Sequence, residues 1–72
     1  MDIQEQSLFL YKKCYYLLKK KYGEPDKERT TTLAVAMAIY GIDFFLDRNV
    51  LMEKQIQYWN DVKMEIEKIL LP

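Results

Sequence analysis

The chain has 72 residues, half of them hydrophobic, and its eleven basic and eleven acidic groups give a formal net charge of zero. Neutrality argues against a dedicated nucleic-acid-binding domain, which is usually strongly basic. A single cysteine, Cys14, and the lack of histidine exclude an intrachain disulfide and a Cys/His zinc site. We therefore expect a single domain over residues 1–72, stabilised by regular helix packing or by oligomerisation.

The sequence predicts a cytoplasmic protein with no transmembrane segment. The first charged residue, Asp2, is acidic and follows Met1 directly, whereas a signal peptide starts with a basic region. Its longest apolar run, residues 33–46, includes Asp43 and is shorter than the ~20 residues that cross a bilayer. A free cysteine also suits a reducing compartment.

A first helix is predicted over residues 2–22. Gly23 follows at the position where a C-terminal cap glycine belongs, and three lysines, residues 19–21, suit the negative end of the helix dipole. The apolar side chains lie on one broad arc at 3.6 residues per turn. They are Leu8, Leu10, Tyr11, Cys14, Tyr15, Leu17, Leu18 and Tyr22.

A second helix is predicted to begin near Pro25, with acidic residues in its first turn, or at the threonines of residues 30–32, any of which can cap a helix. It runs on either as one long helix to residue 71 or with a break at residues 47–49. The continuous helix is favoured because the heptad pattern keeps its phase through that point and because Asp43 and Asp47 would sit unfavourably at a helix C-terminus. The fold class is thus an all-α helical hairpin that associates into a bundle, with a three-helix bundle as the alternative.

In the continuous helix the two core positions of the heptad form an apolar seam. Position a holds Val35, Ile42, Asn49, Ile56, Lys63 and Leu70, and position d holds Ala38, Phe45, Met52, Trp59 and Ile66. Asn49 and Lys63 either fix the register of an oligomer or are tolerated polar interruptions.

Residues 33–46 are apolar almost all round, and a second apolar stripe continues beside the seam at heptad spacing, through Met37, Phe44, Leu51 and Tyr58. One partner helix of about 21 residues cannot cover both stripes, and soluble monomers rarely expose patches of that size. Self-association into a helical bundle, with the C-terminal halves forming a coiled coil, is the simplest arrangement that covers both stripes. The predicted self-association interface comprises Ile42, Phe44, Phe45, Leu51, Met52, Ile56, Tyr58, Trp59 and Ile66. A three-helix monomer that folds the second stripe inward is the alternative.

We expect no catalytic, metal-binding or cofactor-binding residues. Asp43 and Asp47 share a helix face but are more often a solvated pair than an acid–base pair. Cys14 has no histidine to activate it and lies on the apolar arc, so we expect it in the core. One face of the first helix interleaves lysines with aromatics, a pattern that can hold single-stranded nucleic acid or another anionic partner. This face comprises Phe9, Lys12, Lys13, Tyr16, Lys19 and Lys20. An ordinary lysine-rich surface is the alternative.

Residues 32–39, followed by Asp43, Leu46 and a charged helical stretch, resemble the helical part of ZapA-type cell-division proteins. The N-terminal strands of that family have no counterpart here, since the chain opens with a helix. The resemblance implies a long helix that dimerises. The sequence therefore predicts a non-enzymatic helical module that binds itself and other proteins as an adaptor, assembly factor or small regulator. The alternative is a small nucleic-acid-associated regulator.

Overall fold

In a computed structural model, which describes residues 2–23 and 25–71, three α-helices pack against each other. Helix α1 spans Ile3–Lys21, α2 spans Lys27–Arg48 and α3 spans Glu53–Glu67, and a 3₁₀ turn over Lys68–Leu70 follows. The described part of the chain contains no strand. The all-α prediction is confirmed, and the architecture is the three-helix bundle that the sequence left as the alternative.

Helix α1 begins and ends where its local sequence predicts. The carboxylate of Asp2 accepts a hydrogen bond of 2.8 Å from the backbone N–H of Glu5, which lowers the pKa of the Asp2 carboxyl. At the other end Gly23 has φ of +64°, the left-handed conformation that a glycine after a helix adopts without steric cost.

Helix α2 begins later than Pro25 and earlier than the threonines. Asp26 is its cap, because its carboxylate accepts hydrogen bonds from the backbone N–H groups of Glu28 at 2.9 Å and Arg29 at 3.2 Å. The hydroxyls of residues 30–32 instead donate to carbonyls one turn back inside the helix. The expected start near Pro25 is therefore confirmed, and the alternative of a threonine cap is wrong.

The continuous helix was also wrong, because α2 ends at Arg48 and α3 begins only at Glu53. Two polar side chains close the helix ends at this break. Nδ2 of Asn49 donates to the carbonyl of Phe45 at 2.8 Å, and the backbone N–H of Met52 donates to Oε1 of Gln55 at 3.0 Å. The long coiled coil, which required an uninterrupted seam, is therefore absent.

Folding α3 back onto α2 brings the two halves of the predicted seam into contact within one chain. Val62 and Ile66 of α3 are fully buried against Val35, Ala38 and Ile42 of α2. Full burial of such a side chain contributes about 1.5–3 kcal/mol. This intrachain burial stabilises the bundle by more than Asp43 and Asp47 destabilise it through their position near the C-terminus of α2.

Two polar contacts tie the helices together. The Lys63 ammonium is paired with the Asp43 carboxylate across α2 and α3, so one of the two polar residues of the predicted seam has a partner in its own chain. The hydroxyl of Ser7, a buried residue of α1, lies 2.6 Å from the Ile3 carbonyl oxygen and 3.2 Å from that of Val62. The Ser7 proton is therefore shared between α1 and α3, which satisfies a group that burial would otherwise penalise.

Candidate protein-binding groove

All three helices contribute to an apolar groove of about 340 Å³ on the surface of the bundle. It is open to solvent and contains no charged side chain in its lining. The lining residues are Leu10 and Cys14 of α1, Met37, Ala38, Gly41, Ile42 and Phe45 of α2, and Trp59 of α3. An uncharged groove of this kind suits an apolar side chain or the apolar face of a helix.

Aromatic rings form one end of the groove. The rings of Phe45 and Trp59 meet edge to face with centroids 5.6 Å apart, and the rings of Tyr58 and Trp59 meet edge to face at 5.2 Å. Such contacts hold the rings in defined positions. Phe45 nevertheless remains 39% exposed, which means that packing within the chain leaves much of its ring in water.

The α2 side of the groove continues onto an exposed apolar face. Met37, Gly41 and Phe44 are spaced by four and three residues and therefore project from the same side of the helix. Phe44 is 61% exposed, and the Arg48 guanidinium lies 4.7 Å from the centre of its ring. The groove and this face together form the uncovered apolar surface of α2.

Gly41 lies in the middle of α2 without a packing reason inside the chain. A Cβ atom placed on Gly41 would meet nothing within 4 Å. Glycine in a helix interior is destabilising by roughly 0.5–1 kcal/mol relative to alanine. The groove therefore has, along one wall, a bare stretch of helix backbone that another molecule can approach closely.

Cys14 lies in the groove, partly buried on the α1 side. Burial raises the pKa of its thiol above the ordinary value, since the uncharged form is favoured away from water. A thiol with a raised pKa is a weak nucleophile at neutral pH. The expectation that Cys14 is a packing residue agrees with this placement.

The residues of the predicted self-association interface do not share one surface. Ile42 and Ile66 lie in the core of the single chain, 4% and 0% exposed, so for these two residues the prediction is corrected. The heptad pattern identified them as interior correctly, but it assigned the wrong covering helix. Of the others, Leu51, Tyr58 and Trp59 are half-buried, and Phe44, Phe45, Met52 and Ile56 are exposed.

The lysine–aromatic face of α1 is present as an exposed surface. The ammonium of Lys13 lies 5.4 Å from the ring centre of Phe9, and that of Lys20 lies 5.8 Å from the ring centre of Tyr16. Lys12 is exposed beside them, and Lys19 is half-buried at the edge. The face thus pairs its own cations with its own rings.

Sequence reasoning did not single out Gly41 or the groove wall formed by Leu10 and Met37. The available signal was a glycine within an otherwise uninterrupted apolar helix. Periodicity alone could not show which side of α2 would stay open, because that depends on where α1 and α3 pack.

Helix α2 is, by length and composition alone, long and apolar enough to cross a membrane. It is longer than the apolar run of residues 33–46, because the helix extends that run at both ends. The mostly buried core helix of a soluble bundle satisfies the same criterion, but only 28% of the apolar window of α2 is buried within the chain. The expected lack of a transmembrane segment stays a prediction.

No known protein family, curated protein or solved structure matches this chain. The resemblance to ZapA-type proteins therefore rests on the helical pattern of residues 32–46 alone, and the long helix that it implies is interrupted at residues 49–52.

Proposed function

We propose that this chain is a non-enzymatic helical interaction module that self-associates, and that it acts in the cytoplasm as a small adaptor, assembly factor or regulator. The observation that carries the proposal is the apolar groove continuous with the exposed face of α2. It joins half-buried Trp59 and exposed Phe44 and Phe45 around the open backbone of Gly41.

The size of the exposed surface supports association. The chain exposes 5574 Å², whereas a folded monomer of 8.7 kDa is expected to expose about 4,700 Å². Part of this surface is apolar, with exposed rings at Phe44 and Phe45 beside the groove. A chain of this length also gains more from added burial than a larger domain does.

The mass of the protein in solution tests the proposal. We expect light scattering at micromolar concentration to return at least twice the 8.7 kDa mass of one chain, with dissociation on dilution. A mass of one chain from dilute to concentrated samples would remove the self-association proposal.

The lysine–aromatic face of α1 favours a second candidate, a small regulator that binds single-stranded nucleic acid. Exposed Phe9 and Tyr16 offer rings for base stacking, and the neighbouring lysines offer charge for phosphates. The formal net charge of zero argues for weak binding at most.

A further inference from the structure

We propose that the lysine–aromatic face of α1 is a peripheral docking surface for an anionic phospholipid bilayer. Docking of this kind is independent of the proposed self-association. Three features of the chain support it: lysines without acidic partners, exposed apolar side chains among those lysines, and a cleft beside them that adds a lysine from α2.

Lysines accumulate in the second half of α1. Residues 12–21 contain five of them, and residues 6–23 contain no acid. Within the part of the chain that the structure describes, none of these five lysines forms an ion pair. With the start of α2 included, residues 6–29 carry seven basic and three acidic groups, a formal charge of +4. This end of the molecule therefore attracts an anionic surface.

The described acids that border this region do not cancel its charge. Asp26 accepts hydrogen bonds from the first turn of α2, and Glu65 is paired with Lys68. Glu28 lines a separate depression beside the C-terminal 3₁₀ turn. Glu5 lies near the N-terminal end of α1, so a tilt of the helix that brings its lysines to the bilayer moves this acid away.

Exposed apolar side chains lie among the lysines. Phe9 and Tyr16 are 45% and 60% exposed, and their spacing of seven residues places them on one line along α1. Leu8 and Leu17, 49% and 39% exposed, lie on either side of that line. This mixture suits the boundary between headgroups and acyl chains, where lysines contact phosphates and apolar side chains are inserted.

A cleft of about 290 Å³ beside the face brings in a lysine from α2. Its lining contains two cations and four hydroxyl groups but no acid. The lining residues are Tyr11, Lys12, Tyr15 and Tyr16 of α1 and Lys27 and Thr31 of α2. A lipid phosphate seated there receives positive charge from two helices and hydrogen bonds from hydroxyl groups.

The exposed leucines favour a bilayer over a single strand of nucleic acid. Lysines and rings serve either partner, because bases stack on rings and phosphates attract ammonium groups. Leu8 and Leu17 offer no ring for stacking, whereas in a bilayer they enlarge the inserted apolar area. A flat bilayer also contacts this face alone, and salt screens exposed charges that lie more than ~8–10 Å away.

Sedimentation with vesicles tests the docking of the full chain. We expect binding to vesicles of phosphatidylcholine mixed with phosphatidylglycerol, no binding to phosphatidylcholine alone, and release as salt is raised. Lys12→Gln combined with Lys20→Gln should weaken binding about 25-fold, since each lysine near an anionic surface contributes roughly five-fold. Arg48→Gln combined with Lys54→Gln removes the same charge from exposed positions of α2 and α3 and should leave binding unchanged.

The apolar contribution is tested by Phe9→Gln combined with Tyr16→Gln, which should weaken vesicle binding several-fold while the lysines remain. Tyr40→Gln is the control, because Tyr40 is a 70% exposed ring on α2, away from the face. All the substituted side chains are exposed, so circular dichroism should show an unchanged fold.

Failure to bind anionic vesicles at low salt would overturn the proposal. Equal binding to neutral vesicles, or equal weakening by the substitutions at Arg48 and Lys54, would assign the binding to another surface and also overturn it. Binding to a single-stranded oligonucleotide but not to anionic vesicles would overturn it in favour of the nucleic-acid regulator.

Discussion

At the scale of single residues, exposure separates side chains that the heptad pattern treats alike. Ile56 and Ile66 both occupy core positions of the predicted seam, yet Ile56 is 40% exposed and Ile66 is 0% exposed. Ile66 packs with Val62 against α2, whereas Ile56 lies in the first turn of α3 after the break. Position in a repeat therefore does not determine the contribution of a residue to stability.

We predict that Ile66→Ala lowers the free energy of unfolding by about 2–5 kcal/mol, because it leaves a cavity in the core. Ile56→Ala is the matched control and should cost under about 1 kcal/mol at concentrations where the chain is monomeric. Urea unfolding followed by circular dichroism measures both. Equal losses for the two variants would contradict the placement of α3.

At the scale of elements, the connection between α2 and α3 decides the architecture. Asn49 has extended backbone, with φ of −119° and ψ of 143°, and Val50 is fully exposed. Side chains of Asn49 and Gln55 satisfy backbone groups on either side of the break. The chain thus stops one helix and starts another without glycine or proline.

Val50→Pro should be tolerated, with a loss of under about 1 kcal/mol in the free energy of unfolding. Asn49 already has the extended conformation that a residue before proline prefers. In a continuous helix the same substitution would cost about 3 kcal/mol or more.

Asn60→Pro, in the interior of α3, provides the reference value of that larger loss. Urea denaturation of the two proline variants beside the wild type makes the comparison. A loss at Val50 as large as the loss at Asn60 would mean that the helix runs through residues 49–52 in solution.

At the scale of the whole molecule, charge is distributed unevenly although it sums to zero. Residues 1–23 carry a formal charge of +3 and residues 24–72 a formal charge of −3. The lysines of α1 therefore form a local basic surface on a molecule whose remaining helices repel polyanions.

We predict no retardation of single- or double-stranded DNA or RNA in a mobility-shift assay at low salt. If binding occurred through four lysines, the log–log dependence of affinity on salt would have a slope near −3, since each contact on a single strand contributes about −0.7. Tyr16→Ala would then cost a further ~1–3 kcal/mol of binding free energy.

The decisive variant for that assay is Lys12→Glu combined with Lys19→Glu. Lys54→Glu, exposed on α3, is the control for a change of charge away from the face. Retardation that the double variant abolishes and Lys54→Glu leaves intact would favour the nucleic-acid regulator over the interaction module.

The sequence by itself determined the helical class and the limits of α1, because both depend on local signals. Apolar periodicity, the Gly23 position and the lysines of the last turn act within a few residues of each other. The apolar periodicity also identified Ile42 and Ile66 as interior and placed Cys14 on the apolar arc of α1.

Only the tertiary structure decided which helix covers each apolar face. The heptad phase is the same whether α3 continues α2 or folds back on it, so periodicity left residues 49–52 undecided. Folding back buries Val62 and Ile66 against the chain's own α2 and leaves the groove at Gly41 open. Periodicity specifies the residues that share a face; the packing of all three helices determines what that face contacts.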